Sequence, residues 1–244
     1  MLSGRRILVT GASRGIGAAI ARAVHGYGAH VALHYGASRG AAESLVAELG
    51  DRVVLVQGDL AEAGAADQVW ADAVDGLGHV DVLVNNAGAW LASPLEPHDA
   101  WVEGWQRNLA LNLQAPADLC RSAIAHFVPR GGGAIVNITS RSAHRGDDAD
   151  HLAYGAAKGG LLALTRGIAR GYAHQGVLAY AVAPGWVDTE IAAGIDKAAA
   201  AAALPMREIT PAADVAEVVA FLASGRSRHS TGTTIDISGA DYVR

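Results

Sequence analysis

Tyr154 and Lys158 occupy positions i and i+4 of HLAYGAAKGGLLALTRGIAR, a strong helical pattern, so both side chains project from one face. A tyrosine left to itself has a pKa of about 10 and is a slow acid near neutrality. A neighbouring ammonium stabilises the phenolate and draws that value down, and the phenol could then give a proton to a carbonyl oxygen as hydride reaches the carbon. Ser140, at the end of the apolar run in GAIVNITS, could hold the same oxygen through its hydroxyl. Taken alone, a Tyr-x-x-x-Lys pair reads as an ordinary pair on an amphipathic helix, and the case for chemistry rests on what else the chain carries.

A second constellation lies near the N-terminus. RILVT runs into TGASRGIG, and a helical apolar pattern (Ile16, Ile20, Val24, Tyr27) begins inside that motif. Gly11, Gly15 and Gly17 allow a sharp turn and a close approach of backbone to a pyrophosphate, with Ser13, Arg14 and Ile16 completing the turn. NAD-binding turns of this type place a carboxylate at the end of the second strand for the ribose 2′-hydroxyl. Here HVALHYGASRG contains none before Glu43, whereas Arg14, Ser38 and Arg39 are close by. A guanidinium suits a 2′-phosphate, so the predicted cofactor is NADP(H) in preference to NAD(H). Arg39 by itself could equally be a solvated residue at a helix start. Asp59, followed by Leu60 in QGDL, either accepts from an adenine amino group or caps the next helix. The small residues of NNAG, at 85 to 88, would admit backbone close to the cofactor.

These groups need a scaffold, and the chain supplies one. RILVT, HVALHY, VVLVQ, VDVLVNN, GAIVNIT and VLAYAVAP are each followed by a segment with helical apolar spacing, and TTIDI follows the helical DVAEVVAFLAS. That alternation predicts an α/β fold of βαβ units on a parallel sheet, and strands apolar throughout imply helices on both faces. No linker or fixed-period repeat divides residues 1–244, so a single domain is expected. The segment Ile191 to Met206, alanine-rich, is either a surface helix or a lid over a ligand. A formal charge of −5 and no dense Lys/Arg run speak against nucleic acid as a partner. No membrane partner is expected either, since no stretch approaches a spanning length, and the apolar run of MLSGRRILVT is too short for a signal peptide. A cytoplasmic location is expected. Cys120, the only cysteine, reads as a buried thiol on a helix.

Together, TGASRGIG, NNAG, Asn112 in LNLQAP, Ser140 in NITS, YGAAK and PGWVDT resemble the short-chain dehydrogenase/reductase family along nearly the whole chain. The resemblance implies a doubly wound Rossmann fold with seven parallel strands in the order 3-2-1-4-5-6-7 and helices on both faces. It also implies a catalytic tetrad. Tyr154 is the acid/base, Lys158 binds nicotinamide ribose and lowers the tyrosine pKa, Ser140 orients the carbonyl, and Asn112 holds a water in a proton relay. Asn86, Ala87, Gly88, Pro184, Gly185, Val187 and Thr189 would line the cofactor, and a homotetramer packed through the helices of Asn112 and Tyr154 would follow.

Within the family the chain looks most like the 3-oxoacyl-thioester reductases. The segments that usually carry basic residues for an acidic carrier protein read VPRGGG and AHQG, however, with Arg130 alone. The loop after Ser140 departs as well, carrying Arg141, His144, Arg145, Asp147, Asp148, Asp150 and His151 where glycines are usual. Its spacing matches no metal motif, so no metal is expected, and it reads as a solvated, partly salt-bridged loop. Trp101 and Trp105 share a helical face suited to core or subunit packing, while Trp186, directly after Pro184-Gly185, suits a pocket wall. The expected activity is NADPH-dependent reduction of a ketone or 3-oxoacyl group to a secondary alcohol. Two alternatives remain: an alcohol or sugar dehydrogenase working oxidatively, and a non-catalytic NADPH sensor.

Overall fold

The computed structural model describes residues 1–188 and 197–243. Seven strands form one parallel sheet: β1 (Arg6–Val9), β2 (His30–Tyr35), β3 (Val53–Gln57), β4 (Val82–Asn85), β5 (Gly133–Ile138), β6 (Val177–Pro184) and β7 (Thr234–Ile237). Their order is β3-β2-β1-β4-β5-β6-β7, as the motifs implied. The helices between them are α1 (Gly15–Gly26), α2 (Arg39–Leu49), α3 (Ala65–Leu77), α4 (His98–Leu109), α5 (Ala115–Phe127), α6 (Ser142–Arg145), α7 (Leu152–Tyr172), α8 (Lys197–Ala203) and α9 (Ala212–Ala223).

The strands are apolar on both sides because the sheet separates two cores. In β1, Ile7 and Val9 point into a cluster with Ile20 and Val24 of α1, Leu45 of α2 and Val219 of α9. Leu8, between them, points the other way, toward Val69 of α3, Leu119 of α5 and Ile168 of α7. The two-residue period of a strand thus puts consecutive apolar side chains into different cores. Each fully buried Leu or Ile contributes ~1.5–3 kcal/mol, which is what holds the helices to the faces. No helix among the described residues is long and apolar enough to cross a membrane.

Two features of this scaffold position the site. First, β1 lies between β2 and β4, so chain direction across the sheet reverses there and a crevice opens at the strands' carboxyl ends, where ligands of open α/β sheets bind. Second, α4 runs into a π-helical turn, Ala110–Gln114, before α5 begins. Pro116 has no N–H to offer Asn112 as an i+4 partner, and the Ala115 N–H bonds instead to the Ala110 carbonyl. Of the segment expected as lid or surface helix, α8 and the residues after it are described; Ile191 and its neighbours up to 196 lie outside the described residues.

Candidate active site

A cavity of about 760 Å³ opens along the carboxyl ends of β1, β2, β4, β5 and β6. Its floor is the glycine turn. Gly11 and Gly15 have φ of +60° and +53°, conformations that glycine adopts without strain. A Cβ on Gly17 would lie 2.2 Å from the Gly11 carbonyl oxygen, so only glycine lets α1 start this close to the turn. Asn86 ties the turn down, donating from Nδ2 to the Thr10 and Gly11 carbonyls at 2.9 and 3.1 Å. Thr10 Oγ1 in return accepts the N–H groups of Asn86 and Ala87, both at 3.0 Å. Sequence reasoning missed His34. Its Nδ1 accepts the Gly11 N–H at 3.0 Å and its Nε2–H donates to the Gly58 carbonyl at 3.0 Å, so one neutral ring bridges the loops after β1, β2 and β3. Burial holds His34 below its ordinary value of 6.5, which keeps Nδ1 free to accept. In the sequence, a histidine inside HVALHY carries no signal beyond that of a core residue.

The catalytic candidates converge at the other end. α7 brings Tyr154 and Lys158 beneath the end of β5, with the Lys158 ammonium 5.8 Å from the centre of the Tyr154 ring. The Tyr154 hydroxyl is hydrogen-bonded to Ser140, and Ser140 Oγ accepts the Ser142 N–H at 3.1 Å, held by the first turn of α6. Lys158 donates to the Ile138 carbonyl at 2.9 Å. Asn112, fully buried, clamps the loop after β4 by donating to the Ala89 carbonyl at 2.9 Å and accepting the Ala89 N–H at 3.2 Å. A Cβ on Gly88 would meet Asn112 Oδ1 at 2.7 Å and Lys158 Nζ at 3.3 Å, so glycine is what allows all three to crowd together.

One expectation is corrected in this arrangement. The lysine was expected to pull the Tyr154 pKa down, but in the protein alone burial pushes it up to about 12, with the Ser140 hydrogen bond offsetting only part. Burial also draws Lys158 down to about 8. Both groups are pressed toward their neutral forms, because desolvation outweighs their mutual attraction across this distance.

Most of the predicted cofactor contacts border the cavity: Gly11, Ser13, Arg14, Gly15, Ile16, Gly17, Asp59, Leu60, Asn86, Ala87, Gly88, Pro184, Gly185 and Val187. Arg39 does not. Its guanidinium turns along α2 to Glu43 at 2.8 Å, an exposed i,i+4 pair, while Ser38 lines the cavity in its place. Asp59 does not cap α3, which begins at Ala65; its Oδ1 accepts the Ala61 N–H at 3.0 Å within its own turn. Thr189 lies outside the described residues. Cys120 is buried and its thiol is pushed up to about 12, beside Asn85 and Asn137, where it acts as packing.

The charged loop is ordered by pairs. Ser142 Oγ donates to Asp147 at 2.7 Å, His151 bonds Asp148 at 2.6 Å, and Arg141 pairs with Asp241 from the far end of the chain. His144 stacks on Tyr242, with ring centroids 5.6 Å apart. Trp101 and Trp105 lie together on α4, 5.2 Å apart, away from the cavity.

Residues 11–239 match the family model described as Enoyl-(Acyl carrier protein) reductase. The chain is 37% identical to 3beta-hydroxysteroid dehydrogenase 1 of Eggerthella lenta, covering 98% of this chain and 94% of that one. It is 34% identical to the 3-oxoacyl-[acyl-carrier-protein] reductase of Synechocystis, covering 98% and 97%. The chain belongs to the short-chain dehydrogenase/reductase family. A solved structure described as a blue fluorescent protein from a metagenomic library, in complex with NADPH, superposes with a TM-score of 0.91 at 37% identity, covering 99% of both chains. The chain is thus an oxidoreductase of that family, and its relatives' names span steroid, acyl and other substrates.

Proposed function

We propose that this short-chain dehydrogenase/reductase uses NADPH to reduce a ketone or 3-oxoacyl carbonyl to a secondary alcohol. The observation that carries this reading is the Tyr154 hydroxyl, hydrogen-bonded to Ser140 and backed by Lys158, at the end of a cavity whose other end is the glycine turn. The residues fit a dinucleotide: Gly11 and Gly15 make a left-handed turn, Gly17 lets α1 begin against it, and the turn and the helix N-terminus border the cavity. Arg14 borders the cavity and no carboxylate follows β2 within it, which favours a 2′-phosphate over a bare 2′-hydroxyl.

Bound there, NADPH supplies hydride to the carbonyl carbon. Ser140 and Tyr154 hold the carbonyl oxygen between two hydroxyls, and Tyr154 gives it a proton as negative charge develops there. Lys158 steadies the phenolate that remains, and Asn112 holds the relay water through which solvent returns the proton. The reductive step uses the protonated phenol, the form in which burial keeps Tyr154. A homotetramer built through the helices of Asn112 and Tyr154 belongs to the same reading; the paired, half-buried Trp101 and Trp105 of α4 suit such an interface.

The test is NADPH oxidation by wild type and Tyr154→Phe against a panel of ketones and an acetoacetyl thioester. Loss of turnover with NADPH affinity retained is expected, by ~10²–10⁴-fold for removal of a general acid. A folded Tyr154→Phe protein that turns over at the wild-type rate refutes the assignment.

A further inference from the structure

Beyond Tyr154 and Ser140 the cavity is walled by two indoles. Trp90, in the loop after β4, and Trp186, in the turn after β6, meet edge to face with ring centroids 6.0 Å apart and planes at 82°. Both border the same cavity as the two hydroxyls. Each is also held by a neighbouring side chain. His151 stacks on Trp90 with centroids 3.6 Å apart and planes within 14°, and the Arg141 guanidinium lies 5.3 Å from the Trp186 ring centre. The supports are anchored in turn, His151 by Asp148 and Arg141 by Asp241. His151 does not border the cavity, so it takes the rear face of Trp90 and leaves the front to an occupant.

We propose that this corner selects a ketone carried on a rigid apolar ring system over a flexible linear acyl chain, with Trp90 and Trp186 as the specificity-determining walls; the proposal rests on the reductase reading above. Two fixed perpendicular surfaces cover two sides of a rigid body at once. Such a ligand has few torsions to freeze, whereas a linear chain loses conformational freedom to make the same contacts. Indoles are suited to the task because they present large apolar area with little side-chain entropy to lose. The charges on the nearby loop do not favour an acidic carrier, since Arg141 and Arg145 are offset by Asp147 and Asp148 among the cavity-lining residues.

The test pairs two ketones of equal carbon count, 2-decalone and 2-decanone; the open chain exposes more apolar surface, so plain transfer from water favours it and a ring preference comes from the shape of the corner. Binding is measured by calorimetry to the full-length protein saturated with NADP⁺, and KM by NADPH oxidation. The ring ketone should bind ~10-fold tighter than the chain, and Trp90→Ala and Trp186→Ala should each weaken it by about 10-fold, with 2-decanone and NADPH affinities moving less than about 3-fold. Trp→Phe at either position keeps a flat wall and should restore most of the loss, and it carries the comparison if an alanine variant fails to fold. Equal affinity for ring and chain, or equal loss of both in the alanine variants, overturns the proposal. The two readings fail separately. Ring-selective binding with no NADPH oxidation sinks the reductase and leaves the ring pocket, while NADPH-dependent turnover of 2-decalone that ignores both tryptophans does the reverse.

Discussion

Replacing Lys158 by methionine separates what the lysine does for chemistry from what its burial costs the fold. Lys158 is 4% exposed, and burial draws it from an ordinary 10.5 to about 8. That gap disfavours the buried ammonium by ~3 kcal/mol relative to the neutral amine. Because the folded-state value is the lower one, the unfolded chain binds more protons between about pH 8 and 10.5, and stability rises with pH through that window. Methionine has similar length and no proton to release, so its variant lacks the rise. At about pH 7 the variant escapes the cost of the charge but loses the hydrogen bond to Ile138, itself worth ~1.5–3 kcal/mol, so the two proteins should be about equally stable. Between there and about pH 10.5 the wild type should gain ~3 kcal/mol on the variant. Cys120 and Tyr154, both pushed up to about 12, destabilise the fold as pH climbs past their ordinary 9.0 and 10.0, but in both proteins alike, so their effect cancels in the difference. Urea unfolding at several pH values reads this directly. Parallel stability curves for wild type and Lys158→Met would refute the buried-charge argument, whatever happens to turnover.

Two further outcomes follow from the cradle. His34→Leu removes the bonds to Gly11 and Gly58 and should cost ~1–3 kcal/mol at about pH 8. Since the folded His34 titrates below 6.5, the wild type should lose that advantage as pH falls beneath 6.5, and denaturation curves that fail to converge there would count against the neutral bridge. For the cofactor, Arg14→Ala should reduce the preference for NADPH over NADH by about 10-fold or more, whereas Arg39→Ala, already paired with Glu43, should move it less than about 3-fold. Equal Kd ratios in wild type and Arg14→Ala would remove the argument for a 2′-phosphate site.

The scaffold was legible because its signals are local. Apolar runs such as HVALHY and VVLVQ became β2 and β3 with the same bounds, and the TGASRGIG glycines sit where the strand-to-helix turn needs them. The i,i+4 spacing of Tyr154 and Lys158 was enough to place them on one helix face. What the sequence did not disclose depends on long-range contacts. Arg39 looked available until α2 set Glu43 beside it, and Arg141 looked solvated until the chain's far end supplied Asp241. His34 could not be told from a core histidine without the Gly11 and Gly58 loops around it.

The Tyr154 pKa shows how far a local argument about charge extends. An ammonium one helical turn away does attract a phenolate, but the structure places both in a desolvated pocket where each ion loses hydration first. In the free protein the tyrosine therefore holds its proton and the lysine sits near the edge of losing one. That state suits a site that waits as an acid: the proton leaves only when a substrate oxygen becomes basic enough to take it, which couples proton transfer to hydride arrival. The same arrangement working in oxidation would need the phenolate beforehand, so its rate should climb with pH well above neutrality while reduction stays level. Comparing the two pH profiles on one ketone and its alcohol decides which direction this pocket is tuned for, and a reductive rate that itself rises with pH toward 10 would mean that Tyr154 is not the acid.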